Sequence, residues 1–333
     1  MKAAYIERYA KGGPVIVGER PAPRPGAGQL LVRVRAASVN PIDFKIRDGM
    51  LRPLFSFAMP LILGSDLAGE VAEVGPGVLG FAVGDAVMAR VDKLRIGTFA
   101  ELCAIDAITA APKPAALSFA EAASLPLAGL TAWQALHDLG KLAAGQRVLI
   151  LAGAGGVGTL ALQLARHAGA HVATTASPRN HALVRSLGAH EVIDYHSQRF
   201  DQLLRDYDLV LDSVGGPDQL AAFRVLRPGG LVVTIAGLPS SAFARSFGLP
   251  WYLRAGLRWK ERKTVAAARA AAARWEYLFM APSGAQLAEL GELVVAGALR
   301  PVIDRTFPLA QTSDALAYVA TGRAVGKVVI DVA

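Results

Sequence analysis

One segment constrains the chain more than any other. The apolar run RVLILAG (147–153) passes directly into Gly153-Ala154-Gly155-Gly156-Val157-Gly158, and then into a helix-patterned stretch from Thr159 to Ala168. A buried strand that feeds G-x-G-x-x-G and then a helix is the phosphate-binding turn of a dinucleotide site. Each glycine has a physical reason. Gly153 permits the tight turn, Gly155 lets backbone approach a pyrophosphate, and Gly158 lets helix and strand pack closely. The helix N-terminus then turns its N–H groups and the positive end of its dipole toward the anion.

The same grammar repeats downstream. HVATTAS, EVIDY, YDLVLDSV and GGLVVTIAG are further short apolar strands, and a helix is expected from Arg179 to Leu187, ending at Gly188. Alternating β and α segments predict an α/β fold with a doubly wound parallel sheet covered on both faces. The first 120 residues differ. LLVRVRAASV, AGEVAEVG and DAVMARV are interrupted by Gly and Pro at close intervals, which predicts a compact barrel-like or partly open antiparallel domain. The texture changes near residue 120, with a helical run from Phe119 to Leu139 interrupted near Pro126, and β-type patterning returns in a tail that ends GKVVIDV. The domains are therefore read as 1–122, completed by 283–333, and a dinucleotide-binding domain over 123–282.

Residues 240–272 stand apart. Arg245, Arg254, Arg258, Lys260, Arg262, Lys263 and Arg269 lie among Phe, Leu and Trp and predict a basic, partly amphipathic helical insertion. Such a segment suits an active-site lid, a dimer contact or a membrane-surface helix. The strand that follows, ARWEYLFM, is expected at a sheet edge, where pairing between two copies would give a homodimer.

Composition narrows the function classes. A chain of 333 residues with 53% hydrophobic and 19% charged residues is a globular protein of about two domains. No apolar run is long enough to span a bilayer, and Glu7 and Arg8 fall where a signal peptide needs apolar residues, so a cytoplasmic address is expected. Cys103 is the only cysteine. That excludes an internal disulfide and any multi-cysteine zinc site, and within TFAELCAI it reads as a buried small hydrophobe. The net charge of +8 is accompanied by no nucleic-acid motif, and no nucleic-acid partner is expected.

The choice of dinucleotide turns on the second strand. NAD sites carry Asp or Glu at its end, where a carboxylate accepts from the ribose 2′-hydroxyl. Here it ends Thr174-Thr175-Ala176-Ser177-Pro178-Arg179, with no acid. A hydroxyl and a guanidinium bind a 2′-phosphate through charge-assisted hydrogen bonds, so NADPH is expected, with Ser177 and Arg179 on that phosphate. Ser177 before Pro178 also reads as an ordinary helix start, and the two readings are compatible.

These residues carry a family likeness over nearly the whole chain. SVNPIDFKIRDG (38–49), LGSDLAGEVAEVGPGV (63–78), GDAVMA (84–89), GTFAEL (97–102), LPLAGLTAWQAL (125–136), LILAGAGGVGTLALQLAR (149–166), LGAHEVIDY (187–195), DLVLDSVGG (208–216) and LRPGGLVVTIAG (226–237) occur in order before the tail. The chain resembles the medium-chain dehydrogenase/reductase superfamily, in its zinc-independent quinone oxidoreductase and alkenal/enone reductase branch. The resemblance implies a GroES-like catalytic domain built from both chain ends and a central Rossmann domain. It also implies that Gly156 and Val157 touch the pyrophosphate, and that Ser177 and Tyr195 touch the 2′-phosphate. Thr131, Val214, Gly237 and Lys327 would lie near ribose and nicotinamide. Zinc-using relatives carry Cys, Gly-His-Glu and Cys where this chain has Asn40, Ser65 with Asp66, and Leu127, so no metal is expected.

Without zinc, little polarises a plain ketone, and hydride transfer favours acceptors that are already electrophilic: quinones and conjugated carbonyls. Asn40 is the candidate hydrogen-bond donor to the acceptor oxygen, or an orienter of the pocket. Asp43 is the candidate that fixes the loop or meets a cofactor hydroxyl. An Asx-type turn beside Pro41 explains both residues in a plainer way. No side-chain proton donor stands out, which leaves water or a ribose hydroxyl. The reading from another class is a non-catalytic NADPH-binding sensor or interaction protein that uses the basic insertion.

Overall fold

The computed structural model describes residues 1–53, 56–237 and 239–332. The chain forms two compact units, Met1–Leu130 with Ala281–Ala333, and Thr131–Met280.

The first unit is built on the eleven-residue strand Gln29–Val39. Arg33 is exposed and Arg35 half-buried, while Val32, Val34, Ala36 and Ala37 face inward. The strand is antiparallel to Asp66–Val74, to Leu102–Asp106 and to the tail strand Lys327–Asp331. Val32, Val34, Leu67, Val71, Val87, Ile105 and Val328 close one apolar core, and this shared burial holds the two ends of the chain in one unit. Cys103 lies buried in that core, and burial pushes its thiol up to about 12, so it stays an unreactive packing group.

The change of texture near residue 120 falls inside a helical run, and composition marks no border within it. The run breaks at Pro126 into Phe119–Ala123, capped by Ser118 with Glu121, and α1 (Pro126–Trp133). Residues 123–130 belong to the first unit. Leu127 N–H donates to Asp66 Oδ1 at 3.0 Å, a bond that no local pattern announces.

The second unit is a six-stranded sheet of β1 (Arg147–Ile150), β2 (His171–Thr175), β3 (Glu191–Ile193), β4 (Tyr207–Asp212), β5 (Leu226–Thr234) and β6 (Arg274–Tyr277). Neighbours run 3-2-1-4-5-6 and every pair is parallel, the doubly wound order in which the connections reverse between β1 and β4. Val148, Leu149, Ile150, Val172, Val210 and Val232 are buried, as a sheet covered on both faces requires. Two local features depart from the sequence reading. The helix expected from Arg179 begins as a 3-10 turn, Pro178–Asn180, and becomes α-helical only over His181–Ser186. The run after Trp133 relaxes into a π-turn over Gln134–Leu139. The basic insertion folds as two helices, α2 (Ser241–Ser246) and α3 (Trp251–Ala270). They separate where Gly248 takes a φ of +71° ahead of Pro250. Strand β6 then closes one edge of the sheet, with β5 as its one neighbour.

Candidate functional site

The glycine turn follows β1 and opens the α-helix Gly156–His167, whose N-cap, Gly155, is extended (φ −79°, ψ 174°) with no side-chain cap. The first-turn N–H groups, at Gly156, Val157 and Gly158, are those an α-helix leaves without intrahelical partners. The turn is held from β2: Ala152 N–H donates to Thr175 Oγ1 (2.9 Å) and Gly153 N–H to Thr175 O (3.0 Å). The three glycines do different work. A Cβ on Gly153 would stand 2.1 Å from Thr174 Oγ1, and one on Gly158 would stand 2.4 Å from Ala152 O. Both are packing requirements. A Cβ on Gly155 would meet only Ala152 O, at 3.3 Å. Gly155 therefore borders open space at a helix N-terminus, a place shaped for a phosphate.

Ser177, Arg179, Tyr195, Val214 and Gly237 all follow the C-terminal ends of strands of this sheet. Thr175 on β2 is in register with Ile193 on β3, so Ser177 and Tyr195 each lie two residues beyond the same level. Ala176 N–H donates to Ile193 O (3.0 Å) and ties the two strand ends together. Ser177 is buried and begins the 3-10 turn without capping it; its Oγ accepts from Asn180 Nδ2 (3.2 Å). Arg179 is exposed, and Tyr195 is 55% exposed against the ring of His196. On the far side of β1, Asp212 is in register with Thr234. Val214 and Gly237 follow those strand ends, both exposed, with Gly237 at φ +79°. Asp212, which sequence reasoning missed, shapes this loop. Its Oδ1 accepts from Val214 N–H (3.0 Å) and Gly215 N–H (2.7 Å), and its Oδ2 from Thr234 Oγ1 (2.8 Å). The signal was an acid ending an otherwise apolar strand. Thr131 lies buried inside the helix Pro126–Trp133.

The remaining candidates meet in the first unit. Asn40 Nδ2 donates to Asp66 Oδ2 (2.9 Å) and to Ser38 O (3.3 Å), and Asn40 Oδ1 accepts from Lys327 Nζ (2.5 Å). Ser38 Oγ donates to the same Asp66 oxygen (2.7 Å), and Lys327 Nζ lies 3.9 Å from it. Asp43 accepts from Asn40 N–H (2.7 Å) and Ser65 Oγ (3.1 Å). Ser38, Asn40, Asp43, Ser65, Asp66, Arg90 and Lys327 are all buried. Both amide hydrogens of Asn40 are engaged, which fits an orienting role rather than a donor facing outward. Asp43 ties the start of the helix Pro41–Arg47 to Ser65, as a loop-fixing carboxyl would. Ser38 and Arg90 were not foreseen, since nothing local separates them from ordinary strand residues.

Burial dominates the electrostatics of this cluster. It pushes the carboxyls of Asp43 and Asp66 up and the cations of Lys327 and Arg90 down, because the charged form of each loses water. Asp43 is carried to about 7, against an ordinary 3.8, with the backbone hydrogen bond from Asn40 opposing and the charge of Asp66 assisting. A carboxyl raised in the fold favours folding fully below its unfolded value, and that contribution is lost as pH rises through its folded value. The wild type should therefore lose stability between pH 5 and pH 8. Asp43→Asn, which keeps an acceptor for Asn40 N–H, should remove a few kcal/mol of that slope, at about 1.4 kcal/mol per unit. Urea midpoints at the two pH values measure it, and an unchanged slope in the variant would refute the assignment.

Comparison with known proteins decides the family. Residues 26–115 match the model for the alcohol dehydrogenase GroES-like domain, and residues 187–330 match that for zinc-binding dehydrogenase. The chain is 38% identical to the mitochondrial NAD(P)H oxidoreductase RTN4IP1 of Mus musculus, over 91% of this chain and 82% of the relative. The chain belongs to the medium-chain dehydrogenase/reductase superfamily. Another relative in the superfamily, 35% identical over 91% of this chain and 72% of its own length, is the chloroplastic NADPH-dependent alkenal/one oxidoreductase of Arabidopsis thaliana. Among solved structures, the quinone oxidoreductase of Coxiella burnetii matches with a TM-score of 0.87 at 34% identity, over 100% of this chain and 99% of that one. The architecture expected from the sequence, a GroES-like domain and a Rossmann sheet, agrees with the GroES-like match over residues 26–115 and with the fold shared with that solved structure. Zinc names one of the matching models, yet among the described residues no group of three or more His, Cys, Asp or Glu is placed to hold a metal ion.

Proposed function

We propose that this chain is an NADPH-dependent oxidoreductase that reduces a quinone or an α,β-unsaturated carbonyl compound without a metal ion. One observation carries the acceptor class. Asn40, Asp66 and the Leu127 backbone, which by the family resemblance stand with Ser65 where zinc-using relatives carry their ligands, are tied to one another and to Lys327. The site thus offers buried hydrogen bonds and an ammonium group in place of a Lewis acid, which suits an acceptor that is already electrophilic. Relatives named as quinone, alkenal/one and NAD(P)H oxidoreductases support the same class.

The residues present fit the cofactor. The open face of Gly155 and the N–H groups of Gly156, Val157 and Gly158 would receive the pyrophosphate. Ser177, Arg179 and Tyr195 stand at neighbouring strand ends and would receive the 2′-phosphate, with no carboxylate at the end of β2 to repel it. Thr131, Val214, Gly237 and Lys327 are assigned to ribose and nicotinamide. NADPH, when bound, supplies the hydride. Asn40 orients Lys327 through its Oδ1, Asp66 holds the Asn40 amide in that orientation, and Asp43 fixes the loop that carries Asn40. The proton that completes the reduction is assigned to water.

The deciding assay follows NADPH oxidation with 1,4-quinones, vinyl ketones, 2-alkenals, saturated ketones and alcohols, with and without EDTA. Turnover on the first three that survives EDTA is the expected result. Activity that is lost with EDTA alongside stoichiometric zinc would overturn the metal-free assignment, and tight NADPH binding without turnover would favour a sensor. Arg179→Ala should raise KM for NADPH about 30-fold, the equivalent of one charged hydrogen bond of about 2 kcal/mol. KM for NADH should not move. Equal changes for both cofactors would remove Arg179 from the 2′-phosphate.

A further inference from the structure

We propose that the outward face of α3, with Trp251, Tyr252 and Trp259 set among arginines and lysines, docks this chain on a bilayer that carries anionic lipid headgroups.

The two faces of α3 are chemically distinct. Leu253, Leu257, Glu261, Thr264 and Ala268 recur at helical spacing and form the inner stripe. Thr264 and Ala268 are buried, and Thr264 Oγ1 donates to Gln219 Oε1 (3.2 Å). Glu261, the one carboxylate of the helix, accepts from Ser241 N–H (2.7 Å) and from the Ser241 hydroxyl. It is therefore spent on anchoring α3 to α2, and it does not neutralise the outer face. Phe243 of α2 packs on Tyr277 and Phe279, which fixes this helix pair to the sheet edge.

The outer face has the opposite character. Trp251, Tyr252 and Trp259 are 71%, 59% and 64% exposed, an unusual expense of aromatic surface on a helix whose other side is already packed. Arg258, Arg262 and Lys263 are exposed around them. Indole and phenol rings favour the headgroup level of a bilayer, and cations on long stems reach the phosphates beside them. At 20 residues, α3 is about 30 Å long and lies flat against a surface without spanning it; no helix among the described residues is long and apolar enough to cross a membrane.

Charge selects the occupant. A second copy meeting this face about a two-fold axis would set cation against cation, and the one carboxylate of α3, Glu261, is turned inward to Ser241. A single-stranded nucleic acid would need open ring faces on which to stack. The Arg262 guanidinium already covers Trp259, 4.1 Å from its centroid, and Nη1 donates to Trp259 O (3.0 Å). A surface of anionic headgroups above an apolar layer matches both components at once.

The test uses the full chain with vesicles of phosphatidylcholine alone and of phosphatidylcholine with phosphatidylglycerol. Sedimentation with the anionic vesicles only, weakening as salt rises, and a blue shift of tryptophan emission are expected. The double variant Arg258→Glu, Arg262→Glu should lose at least about tenfold in vesicle affinity. Trp259→Ser should weaken binding several-fold and reduce the blue shift. Circular dichroism and NADPH binding should be unchanged in both, since these side chains are solvent-exposed. Three results would overturn the proposal: no binding to either vesicle, binding that ignores lipid charge or the substitutions, and salt-sensitive binding to RNA without vesicle binding.

Discussion

Lys327→Met should destabilise the first unit by about 3–5 kcal/mol at pH 8, the usual cost of removing one member of a buried ionic pair. The same substitution should cost far less at pH 5. Lys327 is buried and hydrogen-bonded to Asn40, with Asp66 beside it. Burial already raises the Asp66 carboxyl above its ordinary 3.8, and Lys327 is the first of the groups that hold it down. Without the ammonium, Asp66 rises further. The cost of a raised carboxyl is absent below its unfolded value and complete above its folded value, so the deficit of the variant grows with pH. Urea denaturation at both pH values gives the difference, and a pH-independent deficit would mean that Met is simply a poor fit to the cavity. In the assay proposed above, kcat/KM should fall about 100-fold, the equivalent of a charged hydrogen bond of about 2.7 kcal/mol.

Gly155→Ala should leave the fold intact and raise the Kd for NADPH about 100-fold. The added methyl group would stand at the N-cap of the helix Gly156–His167, where it meets only Ala152 O at 3.3 Å inside the protein. On the outside it would hold the pyrophosphate away from the first-turn N–H groups. The loss of one or two charge-assisted bonds accounts for about 2.7 kcal/mol. Gly153→Ala and Gly158→Ala serve as the contrast. Their new carbons would lie 2.1 Å from Thr174 Oγ1 and 2.4 Å from Ala152 O, so both should lower the melting temperature before binding is even considered. Fluorescence titration with NADPH, beside thermal melts of the three variants, separates the two kinds of glycine. Wild-type affinity in Gly155→Ala would remove the turn from the cofactor site.

The two sites differ in how far they could be read from sequence, and the reason is chain separation. The glycine turn is contiguous, and its strand, turn and helix share one window, so its chemistry is visible as a pattern. The parallel sheet is nearly as accessible, because each parallel neighbour requires a crossover and strands therefore alternate with helices; the order of its strands is not written in that alternation. The Ser38–Asn40–Asp66–Lys327 cluster is different. Lys327 Nζ bonds to Val39 O across 288 residues, and no window contains both. Family likeness pointed to Asn40 and Lys327 separately, but only the pairing of Val328 with Val39 sets them side by side. Asp66 did leave a trace, an acid just ahead of the apolar residues Leu67 and Ala68. That trace cannot distinguish a buried partner from a strand-end charge. Local backbone choices were hardest to anticipate: the π-turn at Gln134–Leu139 and the 3-10 turn at Pro178–Asn180 depend on packing rather than propensity.

The strand Lys327–Asp331 has a consequence for the order of events during synthesis. Thr131–Met280 is contiguous and can close as soon as it leaves the ribosome. The strand Gln29–Val39 must wait for residues 327–331 before its last antiparallel neighbour exists. About 200 residues separate the end of the N-terminal part from that neighbour, which at roughly 5–20 residues per second is a delay of about 10–40 s. During that interval Ala36–Val39 presents an apolar, unpaired edge, the kind of surface that other nascent chains can join. The half of the protein that carries the buried lysine is thus the half that a growing chain must protect longest.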